Sequence, residues 1–212
     1  MKTLKAPAAP PRTFYEALVI QRWDDHRFYH HNRINQSLHL VSAISFLCAY
    51  AMLLVEPAFA VLIAWLFAMP TRQAGHFFFE PHDYDAANQV SHEYKEQVKV
   101  GYNLYRKVWL MSIWLLSPLV LLFTPSCFGA LTPATTAWGV VHNVSMLWLW
   151  VGAGGALFRT VQLFFLRDVQ TGLVWLTKIL TDPFHDVMLY YRAPLYVLRG
   201  DMFDPIVSHE TV

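Results

Sequence analysis

Four apolar runs, each close to the length of a membrane-spanning helix, place the strongest limit on how this chain can fold. They cover about residues 38–55, 58–79, 108–123 and 138–158 of the 212 residues. A helix of about 20 predominantly apolar residues is long enough to cross a bilayer. Only two residues separate the first two runs, which indicates a tight helical hairpin. We therefore predict an all-α integral membrane bundle with about four transmembrane helices.

The composition agrees with a membrane protein. Hydrophobic residues make up 55% of the chain and charged residues only 15%, whereas charged residues are about 25% of an average soluble domain. A formal net charge of +1 gives no electrostatic support for a nucleic-acid partner. Cys48 and Cys127 do not form a CxxC motif, so neither a zinc ribbon nor a redox pair is indicated.

The segments outside the apolar runs define the domain organisation. A helical membrane domain is predicted over residues 13–180, between a flexible basic tail (1–12) and a cytosolic C-terminal tail (181–212). Amphipathic helices at the membrane interface are predicted over residues 13–27, 88–107 and 160–180.

Orientation follows from the basic residues. With four crossings, all 16 Lys and Arg residues lie on one side of the membrane or at its boundary. The two opposite connections, around Glu56 and over residues 124–136, contain none. Cytoplasmic loops carry such an excess of basic residues, so the basic side is predicted to be cytoplasmic. A bacterial inner membrane and the endoplasmic reticulum both remain open.

A polar, histidine-rich stretch at residues 28–39 (FYHHNRINQSLH) directly precedes the core of the first apolar run. Polar side chains at the mouth of a membrane segment are costly and usually functional. On a continuous helix, His31 and His39 share a face, and so do His76 and Glu80 at the end of the second run. The hairpin brings both stretches to the same depth. Neutral imidazole is the commonest transition-metal ligand, so we predict a metal site where they meet.

The candidate ligands are the histidines at the cytoplasmic ends of these two runs, namely His30, His31, His39, His76 and His82. The first four are also candidate catalytic residues, together with Glu80. Asn32 and Asn35 are predicted to orient the imidazoles from outside the ligand set. Arg72 is predicted to attract the carboxylate of a substrate.

Two patterns, FYHHNxxNxxxH at residues 28–39 and QxGHxxFE at residues 73–80, resemble the signature of the Mpo1-like (DUF962) family. Its characterised member is an iron(II)-dependent dioxygenase that shortens 2-hydroxy fatty acids by one carbon in fatty acid α-oxidation. The resemblance implies that His30, His39 and His76 bind Fe(2+), with His31 close by. It also implies a 2-hydroxy fatty acid and dioxygen as substrates, drawn from membrane lipid metabolism.

The spacing of two of these histidines makes a structural prediction. His30 and His39 lie nine residues apart and would face opposite ways on an unbroken helix. If both are ligands, the helix has to begin after His30, near Asn32 or Asn35. Asparagine is favourable at a helix N-cap, which makes this start physically reasonable.

Two other functions remain open from the sequence. One is a diiron hydroxylase or desaturase-like lipid enzyme that uses further histidines such as His82, His92 and His185. The other is a non-catalytic membrane subunit whose histidines bind haem, a quinone or nothing. A homo-oligomer is compatible with either function and with the dioxygenase.

Overall fold

The computed structural model describes residues 13–86 and 88–205. Within these ranges the chain is helical apart from its loops, and its β-structure is confined to two isolated bridges, Asn32 to Phe203 and Asp85 to Val90. The predicted all-α class is confirmed. The predicted N-terminal tail, residues 1–12, lies outside the described residues.

The described residues contain ten α-helices, which we number in chain order. They are α1 (Phe14–Asp24), α2 (Arg33–Leu53), α3 (Pro57–Ile63), α4 (Met69–Phe78), α5 (His92–Val98), α6 (Leu104–Leu116), α7 (Val120–Phe123), α8 (Ala137–Leu166), α9 (Val169–Tyr190) and α10 (Ala193–Leu198). A π-helical turn (Asp25–Tyr29) continues α1, a second one (Ala64–Ala68) joins α3 to α4, and a 3₁₀ turn (Ser117–Leu119) joins α6 to α7.

Three helical stretches are long and apolar enough to cross a membrane: Arg33–Leu53, Leu104–Phe123 and Ala137–Leu166. They correspond to the first, third and fourth predicted segments. The second predicted segment, residues 58–79, is also helical and packs along α2, but it is not among the three candidate spans. A helical membrane protein with three candidate spans is therefore what the fold supports.

Pro70 explains why the second predicted segment consists of two α-helices, α3 and α4, joined by a π turn. Pro70 has no backbone N–H and cannot continue the regular hydrogen-bond ladder. Directly before it, the Met69 N–H donates to the Ala64 carbonyl, five residues back, which is the π-helical pattern. The π turn therefore precedes the helix that carries His76.

The start of α2 agrees with the prediction made from the histidine spacing. Asn32 is the N-cap, and its side-chain oxygen accepts hydrogen bonds from the backbone N–H groups of Ile34 and Asn35. His30 lies before the cap, at the end of the first π turn, with φ of −118°. The helix thus begins after His30, which frees this residue to face the same way as His39.

Two sequence predictions about polar segments are wrong. Residues 181–198 are not a tail, because α9 and α10 are ordered helices that pack against α2. The buried acids Asp182 and Asp186 made this segment look solvent-exposed, but both form ion pairs inside the protein. The amphipathic helix predicted over 88–107 is interrupted, since α5 ends at Val98 and Asn103 caps a new helix, α6.

Candidate metal centre

Three histidines from different parts of the fold converge in the interior. His30 comes from the turn before α2, His39 from the second turn of α2, and His76 from the last turn of α4. Their ligand atoms all lie within 4.8 Å of one another. The ring centroids are 3.9 Å apart for His30 and His39, 5.0 Å for His39 and His76, and 5.6 Å for His30 and His76. We call these three residues the histidine cluster.

A glycine allows the two helices that carry His39 and His76 to approach each other. A Cβ atom at Gly75 would collide with the Asn35 Oδ1 atom and would lie 3.2 Å from the His39 ring. Asn35 is fully buried, and its Nδ2 donates to the Tyr29 carbonyl at 2.9 Å. Asn35 therefore lies between the chain next to His30 and the chain next to His76.

Each histidine of the cluster has an oxygen atom beside its Nδ1. Glu80 Oε1 is hydrogen-bonded to His76 Nδ1. The Tyr190 hydroxyl is 3.2 Å from His30 Nδ1, and Asp186 Oδ2 is 3.7 Å from His39 Nδ1. The first two contacts are hydrogen bonds of the kind that fixes the ring orientation and the tautomer of metal-binding histidines, whereas the Asp186 oxygen lies beyond hydrogen-bond distance. This arrangement leaves the Nε2 atoms for a ligand.

Several buried nitrogens of the cluster have no hydrogen-bond partner among the described residues. They are His30 Nε2, His39 Nε2 and His39 Nδ1. Burying a polar atom without a partner costs free energy, and native proteins do so rarely. Two nitrogens on one metal at about 2.0–2.1 Å lie about 3 Å apart, so modest ring rotations would bring the three rings to one ion. The donor set thus fits a transition metal.

The protonation state also suits a metal ligand. Burial lowers the pKa of His30 well below its usual range, and the neighbouring His39 lowers it further. His30 is therefore neutral at physiological pH. Neutral imidazole is the form that binds metal, whereas the imidazolium has no free lone pair.

The structure does not bring His31 or His82 into the cluster. His31 Nδ1 lies 3.1 Å from the Phe28 carbonyl, and its ring stacks on Phe203 at 5.5 Å. His31 precedes the helix, so it does not share the face of His39. His82, in the loop after α4, pairs with His92 at the start of α5, with 3.2 Å between His82 Nδ1 and His92 Nε2. Asn32 acts as the helix cap and not directly on an imidazole.

Arg72 has partners within the protein. Its Nη1 lies 3.2 Å from Asp186 Oδ2, and its Nη2 lies 3.7 Å from Asp182 Oδ2. The same Asp186 oxygen is the one beside His39. Arg72 thus neutralises two carboxylates and holds one of them near the cluster, so its charge is not free for a substrate.

Helix α9 contributes residues that the sequence reading missed. Tyr190 is 2% exposed, and Asp186 is also buried. With Asp182 and Lys178 they recur every four residues, a spacing that places them on one helical face. This spacing is the sequence signal that could have identified them, but the acids suggested a solvent-exposed tail.

A small polar cavity of about 10 Å³ reaches the cluster from this side. That volume accommodates about one water molecule. Its wall includes Asp25, His30, Lys178, His185, Asp186 and Tyr190. The cavity provides a polar approach to the His30 ring between the first π turn and α9.

Comparison of the chain with protein-family models, with curated proteins and with solved structures found no match. The family resemblance therefore depends on the motif residues alone. Three of those residues, His30, His39 and His76, are the ones that meet in the histidine cluster.

Proposed function

We propose that this protein is a membrane-embedded, non-haem iron(II) dioxygenase that shortens 2-hydroxy fatty acids by one carbon. The observation that carries the proposal is the histidine cluster, in which the buried rings of His30 and His39, with their unpartnered nitrogens, meet the partly buried ring of His76. Three protein ligands leave coordination positions open for other molecules, as in other catalytic non-haem iron and zinc sites. The resemblance of residues 28–80 to a family of such dioxygenases supports iron.

The reaction balances without another reductant. A 2-hydroxy acid and one dioxygen molecule give an acid with one carbon fewer, one carbon dioxide and one water. The bond between the carboxyl carbon and C2 breaks, C2 is oxidised to the new carboxyl group, and dioxygen takes up the four electrons. When bound, iron would activate dioxygen and act as a Lewis acid toward the substrate oxygens.

The residues of the chain have separate roles in this proposal. His30, His39 and His76 would hold the metal. Glu80 and Tyr190 orient the rings of His76 and His30, and the Asp186 carboxylate lies 3.7 Å from the His39 ring. Burial of the rings limits access of water to the reacting groups.

The membrane setting suits a lipid substrate. The three candidate spans present many exposed apolar side chains, as a membrane-embedded surface does. The site lies near the N-terminal ends of two of these spans and so near one membrane surface. The distribution of basic residues favours the cytoplasmic surface.

Metal analysis of the full-length protein, purified anaerobically in detergent, tests this proposal. The wild type should contain near-stoichiometric iron, and a His39→Ala/His76→Ala variant should contain none. His82→Ala is the matched control, because His82 lies outside the cluster, and it should keep its iron. Mass spectrometry of 2-hydroxypalmitate incubated with the wild type should then show the acid with one carbon fewer.

Two results would contradict the proposal. A folded wild type that takes up no metal from ferrous solution would leave a structural membrane subunit. A protein that retains only zinc, and that leaves 2-hydroxypalmitate unchanged, would identify a different metalloenzyme.

A further inference from the structure

His30 differs from the other two histidines of the cluster in how its backbone is held. His39 and His76 lie inside α2 and α4, where the regular hydrogen bonds of a helix fix the main chain. His30 lies between the first π turn and the cap of α2, with φ of −118° and ψ of 26°. Its N–H donates to the Asp25 carbonyl at 2.9 Å, so the position of its own carbonyl has to be set by another group.

The side chain of Gln36 holds this carbonyl. Gln36 is fully buried near the start of α2, and its Nε2 donates to the His30 carbonyl at 2.8 Å. A primary amide carries two N–H groups and one carbonyl oxygen. The same Nε2 also donates to Asp204 Oδ2 at 2.9 Å, and Oε1 accepts from Arg33 Nη1 at 3.1 Å. The amide is therefore held in one orientation, which is the one that reaches His30.

Asp204 reaches Gln36 because residues 202–204, which we call the strap, pair with the start of α2. Two backbone hydrogen bonds form this pairing, from Arg33 N to the Met202 carbonyl at 2.8 Å and from Asp204 N to the His31 carbonyl at 2.7 Å. The Arg33 guanidinium also donates to Asp204 Oδ1 at 2.8 Å. A carboxylate that lies 168 residues after Gln36 in the sequence is thereby fixed against its amide.

We propose that Gln36 and Asp204 are positioning residues of the metal centre: the strap fixes the Gln36 amide, and the amide sets the place of His30. The inference rests on the proposed function, since it takes His30 as a metal ligand. Both ends of the amide are bound by charged groups, Arg33 and Asp204, and such charge-assisted hydrogen bonds are about twice as strong as neutral ones. The His30 ring follows its backbone, so a shift of the carbonyl moves this ring relative to the other two.

Titration of the metal-free, full-length protein in detergent with Co(2+) tests this assignment, because the visible absorption of bound cobalt reports the number and geometry of its ligands. Gln36→Met should weaken Co(2+) binding about tenfold or more, the scale expected when a group that orients a metal-binding residue is lost, and should alter the absorption spectrum. Asp204→Ala should change both in the same direction but less, because Arg33 still holds the other end of the amide.

Two variants serve as matched controls. Ser37→Ala, next to Gln36 on α2, removes a hydroxyl that donates to the Arg33 carbonyl within its own helix at 2.8 Å. Asp201→Ala removes an exposed acid directly before the strap. Both variants should keep the wild-type Co(2+) affinity and spectrum, which excludes a general effect of substitution in these two segments.

Thermal unfolding of the metal-free proteins separates a positioning role from a structural one. A lower melting temperature of Gln36→Met with unchanged Co(2+) affinity and spectrum would overturn the inference. If Gln36→Met does not fold, a folded Asp204→Ala with wild-type affinity and spectrum would overturn it in the same way. Cobalt binding that depends on Gln36, in a protein that leaves 2-hydroxypalmitate unchanged, would support the inference and contradict the dioxygenase. A wild type that takes up neither iron nor cobalt would contradict both.

Discussion

Two polar clusters meet near His30 in the sequence, and they differ in whether their polar atoms have hydrogen-bond partners. One is the histidine cluster, in which His30 Nε2 and both ring nitrogens of His39 lack hydrogen-bond partners among the described residues. The other, the Asp85 cluster, consists of Asp24, Arg27, Asp85, Asn88 and Lys95. Asp85 is 1% exposed, and its two oxygens accept from Arg27 at 2.8 and 2.7 Å and from Lys95 at 2.6 Å.

This difference in hydrogen bonding indicates a structural role for the Asp85 cluster and a binding role for the histidine cluster. Asp85 lies in the loop between α4 and α5, and its partner Arg27 lies in the π turn directly before His30. Lys95 also covers the rings of Phe28 and Tyr29 at 4.0 and 5.1 Å. The Asp85 cluster thus fastens that loop to the turn that presents His30. Paired charges stabilise this geometry, whereas the unpartnered nitrogens beside them indicate a place for a ligand.

The largest effect is expected in the Asp85 cluster. Asp85→Ala leaves Arg27 and Lys95 without their buried acceptor, and breaking a buried ion pair costs about 3–5 kcal/mol. The free energy of unfolding should fall by that amount in chemical denaturation. His39→Leu, which keeps most of the side-chain volume, should instead keep or raise the stability of the metal-free protein, because it removes unpartnered buried nitrogens without opening a large cavity.

The control for this comparison is Asp83→Ala. Asp83 is an exposed acid on the same loop, and its removal should not change stability. If Asp85→Ala unfolds at the same denaturant concentration as the wild type, the structural role of the Asp85 cluster is excluded.

A second variant tests how closely α2 and α4 have to approach. Gly75→Ala places a methyl group against Asn35 and His39, and overpacking of this kind costs about 1–3 kcal/mol. The metal affinity should fall together with the stability, because the metal-binding candidate His76 directly follows Gly75 in the chain. Gly154→Ala is the matched control, because nothing lies within 4 Å of its added Cβ. Equal stability of the two variants, measured by thermal unfolding, would contradict the close approach.

A third variant acts on the outer partner of a single histidine. Tyr190→Phe removes the hydroxyl that lies 3.2 Å from His30 Nδ1. Loss of such an orienting group lowers metal affinity about tenfold, or ~1.4 kcal/mol. Competition with a metal chelator measures this change, and Tyr191→Phe, at an exposed neighbour, should leave the affinity intact. A Tyr190→Phe protein with wild-type affinity would show that the Tyr190 hydroxyl does not orient His30 for metal binding.

The sequence predicted the parts of this architecture that depend on local patterns. Apolar length predicted the three candidate spans, and the conflict between His30 and His39 on one helix predicted a start near Asn32. The role of α9 depends on long-range pairing. Asp186 looks like a surface acid until its partners on α2 and α4 are known. His31 was grouped with His39 because the spacing assumed a continuous helix that includes His31, whereas α2 begins two residues later, at Arg33.

The smallest expected effect is on the pH dependence of stability in acid, which Asp85 should change because its carboxylate is paired. Burial raises the pKa of Asp85, but the hydrogen bonds from Arg27 and Lys95 outweigh it and hold the pKa below its ordinary value of 3.8. A carboxyl group with a lowered pKa in the folded state stabilises the fold fully above 3.8, and this contribution is lost as the pH falls below that value. Asp85→Asn removes the contribution, so the stability of the variant should depend less on pH below about 4 than that of the wild type. Parallel pH profiles of unfolding for the two proteins would show that Asp85 is not held ionised by its partners, and the contrast with the histidine cluster would then fail.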